Sequence, residues 1–394
     1  MPSVISSIAR TPIGKFRRAF SSLSAMDLGA VAIEAALERA GITGDAIDEV
    51  LFGHVIQAGQ GQLPSRQAAV AGGIPMTVPS TTINKVCLSG MATIGDAAMR
   101  IAAGESQIVM TGGMESMTNA PYLLNGARSG LGYGDATLKD TLNEDGLLCA
   151  LDHLLMGEAT DEKNAKYEIG RVEQDAWAAE SHARAAAATE SGAFADEIVA
   201  VSVAQRKGDP IVVEVDEGIR SETTEEILAG LRPAFVKDGT ITAGNASQIS
   251  DGAAALVVAD RGAAEAAGLP ILAEIIAYGQ TAGPDTSLHA RPAEALEIAL
   301  KRSDLTPADL DLVEINEAYA SVALHSSHLL DLPREKVNVN GGAIALGHPL
   351  GASGARIVVT LINALRARGG GLGGAALCGG GGQGDALIVR VLPD

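Results

Sequence analysis

The sequence predicts an α/β protein made of two similar halves, with a more polar segment between them. Apolar, strand-like runs alternate with amphipathic segments of helical period. The first pair is a helix over Asp27–Ala40 and a strand over Glu49–Phe52; the second is a helix over Leu88–Ala103, ended by Gly104, and a strand over Ile108–Thr111. This alternation is typical of βα units around a buried parallel or mixed sheet.

The two halves are predicted from a long-range repeat. Leu37-Glu-Arg-Ala-Gly-Ile-Thr recurs as Leu300-Lys-Arg-Ser-Asp-Leu-Thr. Two further pairs match with small shifts in register: Ser89-Gly90 with Ser353-Gly354, and Thr111-Gly112-Gly113 with Cys378-Gly379-Gly380. Such internal similarity indicates a duplicated unit.

The segment from about 120 to 245 differs from both halves in composition. It is richer in charge and in loops, and it contains an Ala-rich helix predicted over Glu173–Ser191. We interpret it as an inserted loop domain. The alternative is an ordinary set of surface connections.

Composition excludes several classes of function. The 48 acidic and 29 basic residues give a formal charge of 29 − 48 = −19, and no stretch concentrates Lys and Arg, so neither a nucleic-acid nor an anionic-membrane partner is expected. The three cysteines form no zinc-site spacing and no disulfide framework, which favours a reducing cytoplasm. No targeting signal or membrane span is expected.

Cys87 is a candidate nucleophile. It ends the β-rich run Thr81-Thr-Ile-Asn-Lys-Val just before a predicted helix. The dipole and free N–H groups of a helix start favour a thiolate over a thiol. The alternative is a buried structural cysteine, the commoner fate of an unpaired one.

Three further candidates lie at similar places in the second half. His348 sits in a Gly-rich loop before the predicted helix Ser353–Arg368. Cys378 ends an apolar run ahead of a glycine cluster that includes Gly380, where backbone N–H groups could form an oxyanion hole, and Asn316 also follows a predicted strand. Each has a structural alternative, but similar halves predict that all four side chains converge on one pocket.

These residues resemble the thiolase family. The matching blocks, in family order and spacing, are Cys87-Leu-Ser89, Asn316-Glu317-Ala318, Gly347-His348-Pro349 and Cys378-Gly379-Gly380. The resemblance covers the whole chain and extends to Arg232-Pro-Ala-Phe235, Thr242–Ser247 and Asp251-Gly-Ala-Ala-Ala. It implies a five-layer αβαβα fold: an N-terminal core half at 1–119 and 246–268, a CoA-binding loop domain at 120–245, and a C-terminal core half at 269–394.

The resemblance also implies a reaction, acyl transfer through an enzyme thioester. By analogy Cys87 accepts the acyl group, His348 takes its proton, and Cys378 exchanges the α-proton of acetyl-CoA. Asn316 would hold a water that stabilises the enolate together with His348, and the N–H groups of Cys87 and Gly380 would bind the other oxyanion. No metal, flavin or pyridoxal phosphate is expected.

Coenzyme A is expected as substrate and product, not as a tightly bound cofactor. The matching positions are Arg220 at the nucleotide end, with Ser247 and Met156 along the pantetheine. Two departures from the family pattern lie nearby: Tyr319 replaces a common Phe, and Leu155 stands where acetoacetyl-CoA-selective members often carry His. Cys149 matches no block and is predicted to be structural.

The leading hypothesis is an acetyl-CoA C-acetyltransferase, assembled as a dimer or a dimer of dimers. The nearest alternative is a 3-ketoacyl-CoA thiolase of fatty-acid or sterol side-chain degradation. Decarboxylating ketoacyl synthases share the fold but use Cys-His-His or Cys-His-Asn, and Cys378 argues against them. A non-catalytic acyl-CoA-binding protein with the same fold is the fourth possibility.

Overall fold

The computed structural model of the chain describes residues 3–393. Its strands are β1 (Ser3–Arg10), β2 (Gly14–Lys15), β3 (Glu49–Gly53), β4 (Ser80–Ile83), β5 (Ile108–Ser116), β6 (Tyr122–Leu123), β7 (Lys139–Asp140), β8 (Val201–Val203), β9 (Ile211–Val213), β10 (Ser250–Asp260), β11 (Ala273–Ala282), β12 (Leu312–Ile315), β13 (Gly371–Gly379) and β14 (Gln383–Val391). Its α-helices are α1 (Ala25–Ala40), α2 (Pro64–Ala71), α3 (Ser89–Ala103), α4 (Met156–Asn164), α5 (Arg171–Glu190), α6 (Glu225–Ala229), α7 (Arg261–Ala267), α8 (Arg291–Arg302), α9 (Ala320–Leu329), α10 (Ala343–Leu346) and α11 (Leu350–Arg366).

The sheet shows the duplication directly. Hydrogen bonds join the strands in the order β12-β13-β14-β11-β1-β10-β5-β3-β4, with β2 attached to β10. The order β3-β5-β10-β1 of the first half returns as β12-β13-β14-β11 in the second, with one parallel and two antiparallel pairings in each. The half-sheets meet where Val4 and Ile5 pair with Glu274 and Ala273. The prediction of two similar halves is confirmed.

Helices complete five layers. One core cluster packs α1 and α2 on the outer face of the first half-sheet, and another packs α8 and α9 on the outer face of the second. The third core cluster holds α3 and α11 between the half-sheets. Because apolar side chains fill all four junctions between layers, the predicted αβαβα architecture is confirmed.

Glycines set the distance between the two central helices. A side chain on Gly90 of α3 would strike the backbone of Ala355, and one on Gly354 of α11 would strike the backbone of Met91. These glycines belong to the repeated Ser-Gly pairs, so the duplication places equivalent small residues where the helices cross. The helix starts, with the residues just before them, are thereby brought together.

Most predicted boundaries shift by a few residues. The first helix starts at Ala25 because Ser24 and Asp27 form a capping box, and the second ends at Gly104, whose φ is 75°. The strand predicted over Ile108–Thr111 continues to Ser116. The helix predicted over Ser353–Arg368 occupies Leu350–Arg366.

The polar middle segment contains α4, α5, α6 and two small antiparallel hairpin sheets, β6–β7 and β8–β9. The helix predicted over Glu173–Ser191 is α5. The segment is anchored in the first half by Arg10, which pairs at 2.6 Å with Glu197 and at 2.7 Å with Asp216. The exact limits 120 and 245 stay a prediction.

The stretch Val86–Ala103, which includes α3, has the length and mean hydropathy of a membrane-crossing helix. In the fold 61% of that window is buried. It packs against α11 between the half-sheets, which explains its apolar composition as that of a core helix.

Candidate active site

Four of the predicted side chains are delivered to one buried region by equivalent parts of the two halves. Cys87 lies two residues before α3, and His348 lies two residues before α11. Asn316 directly follows β12, and Cys378 is the last but one residue of β13. All four are buried, with at most 5% of any of them exposed.

Cys87 follows a sharp turn. Val86 has a φ of 51°, a left-handed conformation that is costly for a β-branched residue. The turn is held by the Asn84 side chain, which accepts from the Val86 N–H at 3.0 Å, and by the Ser89 hydroxyl, which donates to the Val86 carbonyl at 2.6 Å. A network of local hydrogen bonds thus fixes the direction of the Cys87 side chain.

The Cys87 sulfur is a thiol at neutral pH. Burial raises its pKa to about 12, while the N–H groups of Gly380 and of Cys87 itself act in the opposite direction. The predicted preference of the helix start for a thiolate is therefore wrong for the free protein, because burial outweighs the nearby N–H groups. The same contact places the Gly380 N–H against the Cys87 sulfur.

His348 is held as a neutral base. Burial, with a smaller effect of Arg356, lowers its pKa to about 3. Its Nδ1 lies 2.6 Å from the Ser353 hydroxyl, and that hydroxyl donates to the Pro349 carbonyl at 2.9 Å. Ser353 can therefore only accept from His348, so Nδ1 carries the proton and Nε2 keeps its lone pair.

Ser353 and Ser89 occupy equivalent positions in the repeat, and the hydroxyl of each forms a hydrogen bond that orders the segment before its helix. Ser89 braces the turn before Cys87, and Ser353 sets the tautomer of His348. The sequence predicted both serines as matched helix starts, but their contacts depend on the tertiary structure.

The remaining two candidates adjoin this pair. The Asn316 amide nitrogen lies 3.5 Å from Nδ1 of His348, and the Asn316 N–H donates to the Ala376 carbonyl at 3.0 Å. Burial, and then the nearby Cys87 sulfur, raise the pKa of the Cys378 thiol. Among the described residues, neither Oδ1 of Asn316 nor Nε2 of His348 has a protein partner. Buried polar atoms without one are available to a substrate.

Glu317 has a structural role that the sequence did not reveal. Its buried carboxylate accepts from Nε1 of Trp177 at 2.9 Å and from the Ser181 hydroxyl at 2.7 Å, both on α5. It also accepts from the Asn338 amide and the Ile344 N–H. Glu317 therefore fastens the middle segment to the second half, next to Asn316.

A cavity of about 670 Å³ reaches this region at His348, while Cys87, Asn316, Cys378 and Gly380 lie outside its lining. His348 and Tyr319 lie among its lining residues, together with all three predicted CoA contacts, Arg220, Ser247 and Met156. Leu155 also lines it, and Cys149 does not. Phe235 forms part of the wall and meets the Tyr319 ring edge-on at a centroid distance of 6.1 Å.

An ion pair near Cys87 joins the two halves. The Lys85 ammonium lies 2.6 Å from the carboxylate of Asp385, which is completely buried on β14 and also accepts from the Tyr278 hydroxyl at 2.6 Å. Asp385 is two residues into a strand that pairs with the end of β13, beside Cys378. The only sequence signal was a single carboxylate beside the apolar run Ala386–Val389.

Replacing Lys85 by Met should lower the free energy of unfolding by about 3 kcal/mol, because a buried carboxylate loses its countercharge. Urea unfolding measures this loss of free energy. The rate at which iodoacetamide alkylates Cys87, two residues from Lys85, should also differ between the variant and the unmodified protein. Lys139→Met, which breaks an exposed ion pair with Glu144, is the control and should cost less than about 1 kcal/mol. Equal losses of unfolding free energy for the two substitutions would contradict a stabilising role for the Lys85–Asp385 pair.

Comparisons with known proteins agree with this geometry. The family model of the thiolase N-terminal domain matches residues 3–262, and that of the thiolase C-terminal domain matches residues 269–391. The chain is 54% identical over 382 residues to a probable acetyl-CoA acetyltransferase of Mycolicibacterium smegmatis, covering 97% of this chain and 98% of the relative.

Two further matches extend the comparison. The acetyl-CoA acetyltransferase of Escherichia coli is 50% identical over 390 residues, 99% of each chain. The crystal structure of a thiolase from Ascaris suum in complex with coenzyme A superposes with a TM-score of 0.93, at 40% identity and with full coverage of both chains. The chain belongs to the thiolase family.

Proposed function

We propose that the chain is an acetyl-CoA C-acetyltransferase, which joins two molecules of acetyl-CoA to give acetoacetyl-CoA and CoA and also catalyses the reverse thiolysis. The observation that carries this proposal is the placement of two buried thiols, Cys87 and Cys378, near each other, with the Gly380 N–H against the Cys87 sulfur. The Nε2 atom of His348, which lines the cavity, has no protein partner among the described residues. The names of the relatives from M. smegmatis and E. coli support it.

The first half-reaction forms a thioester on Cys87. Its sulfur attacks the acetyl carbonyl of acetyl-CoA while Nε2 of His348 takes the thiol proton, and the N–H groups of Cys87 and Gly380 stabilise the oxyanion. The C–S bond to CoA then breaks, and the CoA sulfur leaves with the proton from His348. A neutral imidazole with a free lone pair suits this role, because it can accept a proton and return it.

The second half-reaction forms the C–C bond. The Cys378 thiol first passes its proton to Nε2 of His348, and the resulting thiolate removes an α-proton from a second acetyl-CoA. The carbanion attacks the acetyl carbonyl on Cys87, the C–S bond to Cys87 breaks, and the departing Cys87 sulfur takes back the proton from His348. While it carries this proton, Nε2 of His348 donates a hydrogen bond to the enolate oxygen, and a water held by Asn316 donates a second one. Burial raises the pKa of the Cys378 thiol, so its thiolate is basic enough for a weakly acidic α-proton.

Coenzyme A enters through the 670 Å³ cavity in this proposal. Arg220 is half-buried and would contact the nucleotide end, while the half-buried Ser247 and the buried Met156 would contact the pantetheine. We propose no tightly bound cofactor. Within residues 3–393, no group of three or more His, Cys, Asp or Glu side chains is arranged for a metal ion.

The acyl specificity is decided by the walls around Cys378. Met156, Leu288, Ala318 and Val322 form one buried cluster with Cys378, and Tyr319 packs against it. We propose that this packing leaves room for only a short acyl group, which would favour acetoacetyl-CoA over the longer substrates of a 3-ketoacyl-CoA thiolase of fatty-acid or sterol side-chain degradation.

The test is the initial rate of CoA-dependent thiolysis, under reducing conditions, for acetoacetyl-CoA and for a longer straight-chain 3-ketoacyl-CoA. We expect kcat/KM to be at least about tenfold higher for acetoacetyl-CoA, because the longer chain would have to displace packed side chains. A preference for the longer substrate would assign the chain to the alternative. Binding of CoA without turnover of either substrate would instead support a non-catalytic protein.

The homo-oligomer and the cytoplasmic location stay predictions. An observation that favours a second copy of the chain is the edge strand β4, which pairs with β3 on one side and leaves its other side unpaired in the described chain. Exposed strand edges are common sites of association. Light scattering of the intact chain measures the assembly, for which a dimer or a dimer of dimers is expected.

A further inference from the structure

Three positively charged side chains gather at the opening of the active-site cavity. Lys15, Arg18 and Arg220 all line it. None of the three forms an ion pair with a carboxylate in the part of the chain that the structure describes. Among the described residues that line the cavity, none carries a carboxylate. In a chain with a formal charge of −19, this lining concentrates positive charge, and the nearby Glu217 carboxylate is engaged by backbone N–H groups.

Hydrogen bonds fix the backbone that carries Lys15 and Arg18. The Glu217 carboxylate accepts from the N–H of Lys15 at 2.9 Å and from the N–H of Ala19 at 3.3 Å, while the Glu217 N–H donates to the Ile13 carbonyl at 3.0 Å. The Arg18 N–H donates to the Lys15 carbonyl at 3.1 Å, which closes the turn. Glu217 therefore joins the 15–19 turn to the segment 217–220, which ends at Arg220.

The backbone of Arg220 is held by a hydrogen bond to a buried histidine on α5. Its N–H donates to Nδ1 of His182 at 3.2 Å. Burial is the main cause that lowers the pKa of His182 to about 4, and the charges of Arg220 and Lys15 act in the same direction. Arg220 and Lys15 thus lie close to the neutral imidazole of His182. This ring accepts a hydrogen bond and adds no charge of its own.

We propose that Lys15 and Arg18 bind the phosphate groups at the nucleotide end of coenzyme A, next to Arg220. The inference rests on the proposed function, which supplies the ligand, and adds two residues to which no family block assigned a role. The cavity matches the chemistry of coenzyme A. Its cations suit the anionic phosphate groups, its apolar walls suit the uncharged pantetheine, and His348 lies where the reacting sulfur would arrive.

The test compares Lys15→Met, Arg18→Met and the double variant with Arg17→Met as matched control. Arg17 belongs to the same turn and loses the same charge, but it lines a different cavity with Thr118 and Tyr122. Titration calorimetry gives Kd for CoA, 3′-dephospho-CoA and pantetheine. Thiolysis then gives KM and kcat for acetoacetyl-CoA and for acetoacetyl-pantetheine.

We expect each single variant to raise Kd for CoA about fivefold, and the double variant about twentyfold, with the affinity for pantetheine unchanged. KM for acetoacetyl-CoA should rise in parallel at constant kcat. Raising the salt concentration should weaken CoA binding less in the double variant than in the unmodified protein. If dephospho-CoA loses as much affinity as CoA, the contact is to the diphosphate; if it loses none, the contact is to the 3′-phosphate.

Equal losses for CoA and pantetheine, or an equal loss in Arg17→Met, would overturn the proposal. Its failure is separable from that of the proposed function. A chain that binds CoA in this phosphate-dependent manner but catalyses neither reaction would refute the acetyltransferase and leave the role of Lys15 and Arg18 intact.

Discussion

Replacing Cys87 by Ser is expected to reduce both condensation and thiolysis by about four orders of magnitude or more. A hydroxyl is a far weaker nucleophile than a thiol. A hydroxyl is also a weaker acid than a thiol, so His348 would have a harder proton to remove. The fold should persist, because sulfur and oxygen differ little in size and the Val86 turn does not depend on the Cys87 side chain.

Steady-state rates in both directions measure this loss, and circular dichroism checks the fold. Cys149→Ser is the control, since Cys149 is a buried cysteine that belongs to neither of the clusters holding Cys87 and Cys378, and this variant should keep nearly full activity. A Cys87→Ser variant with substantial turnover would show that the acyl group is not carried by this residue.

Replacing Cys378 by Ala is expected to separate the two half-reactions. Condensation should fall by about three orders of magnitude, because the variant lacks the thiol that we propose removes the α-proton. Acetyl exchange between acetyl-CoA and labelled CoA needs only Cys87, His348 and the oxyanion contacts, so it should continue at a rate within about tenfold of the original.

Exchange of labelled CoA and formation of acetoacetyl-CoA are measured on the same preparation. Loss of both reactions to the same extent, with the fold intact, would mean that Cys378 also takes part in forming the acyl-enzyme. Retention of condensation would remove Cys378 from proton transfer altogether.

Periodicity and the internal repeat were sufficient to predict an α/β protein of two similar halves, whereas the five layers were implied by the resemblance to thiolases. The repeat of the Leu37 segment at Leu300 led to two halves, and the structure realises it as two half-sheets of the same order. The repeated Ser-Gly pairs at Gly90 and Gly354 mark the crossing of the central helices. Local patterns carried this information because each half repeats the same burial pattern along the chain.

The chemistry of the site depended on features that a sequence does not display. The protonation of Cys87 follows from complete burial, which local reasoning from the helix start overlooked. The tautomer of His348 depends on how the Ser353 hydroxyl is shared with a carbonyl. The Lys85–Asp385 pair joins positions 300 residues apart, and only the folded chain brings them together.

The central claim is that the acyl group passes through Cys87. The most direct measurement incubates the Cys378→Ala variant with acetyl-CoA, quenches in acid, digests the protein and locates the added acetyl group by mass spectrometry. The account predicts one acetyl group on the peptide that carries Cys87, removed again by added CoA. An acetyl group on another residue, or an unmodified protein that still exchanges labelled CoA, would contradict it.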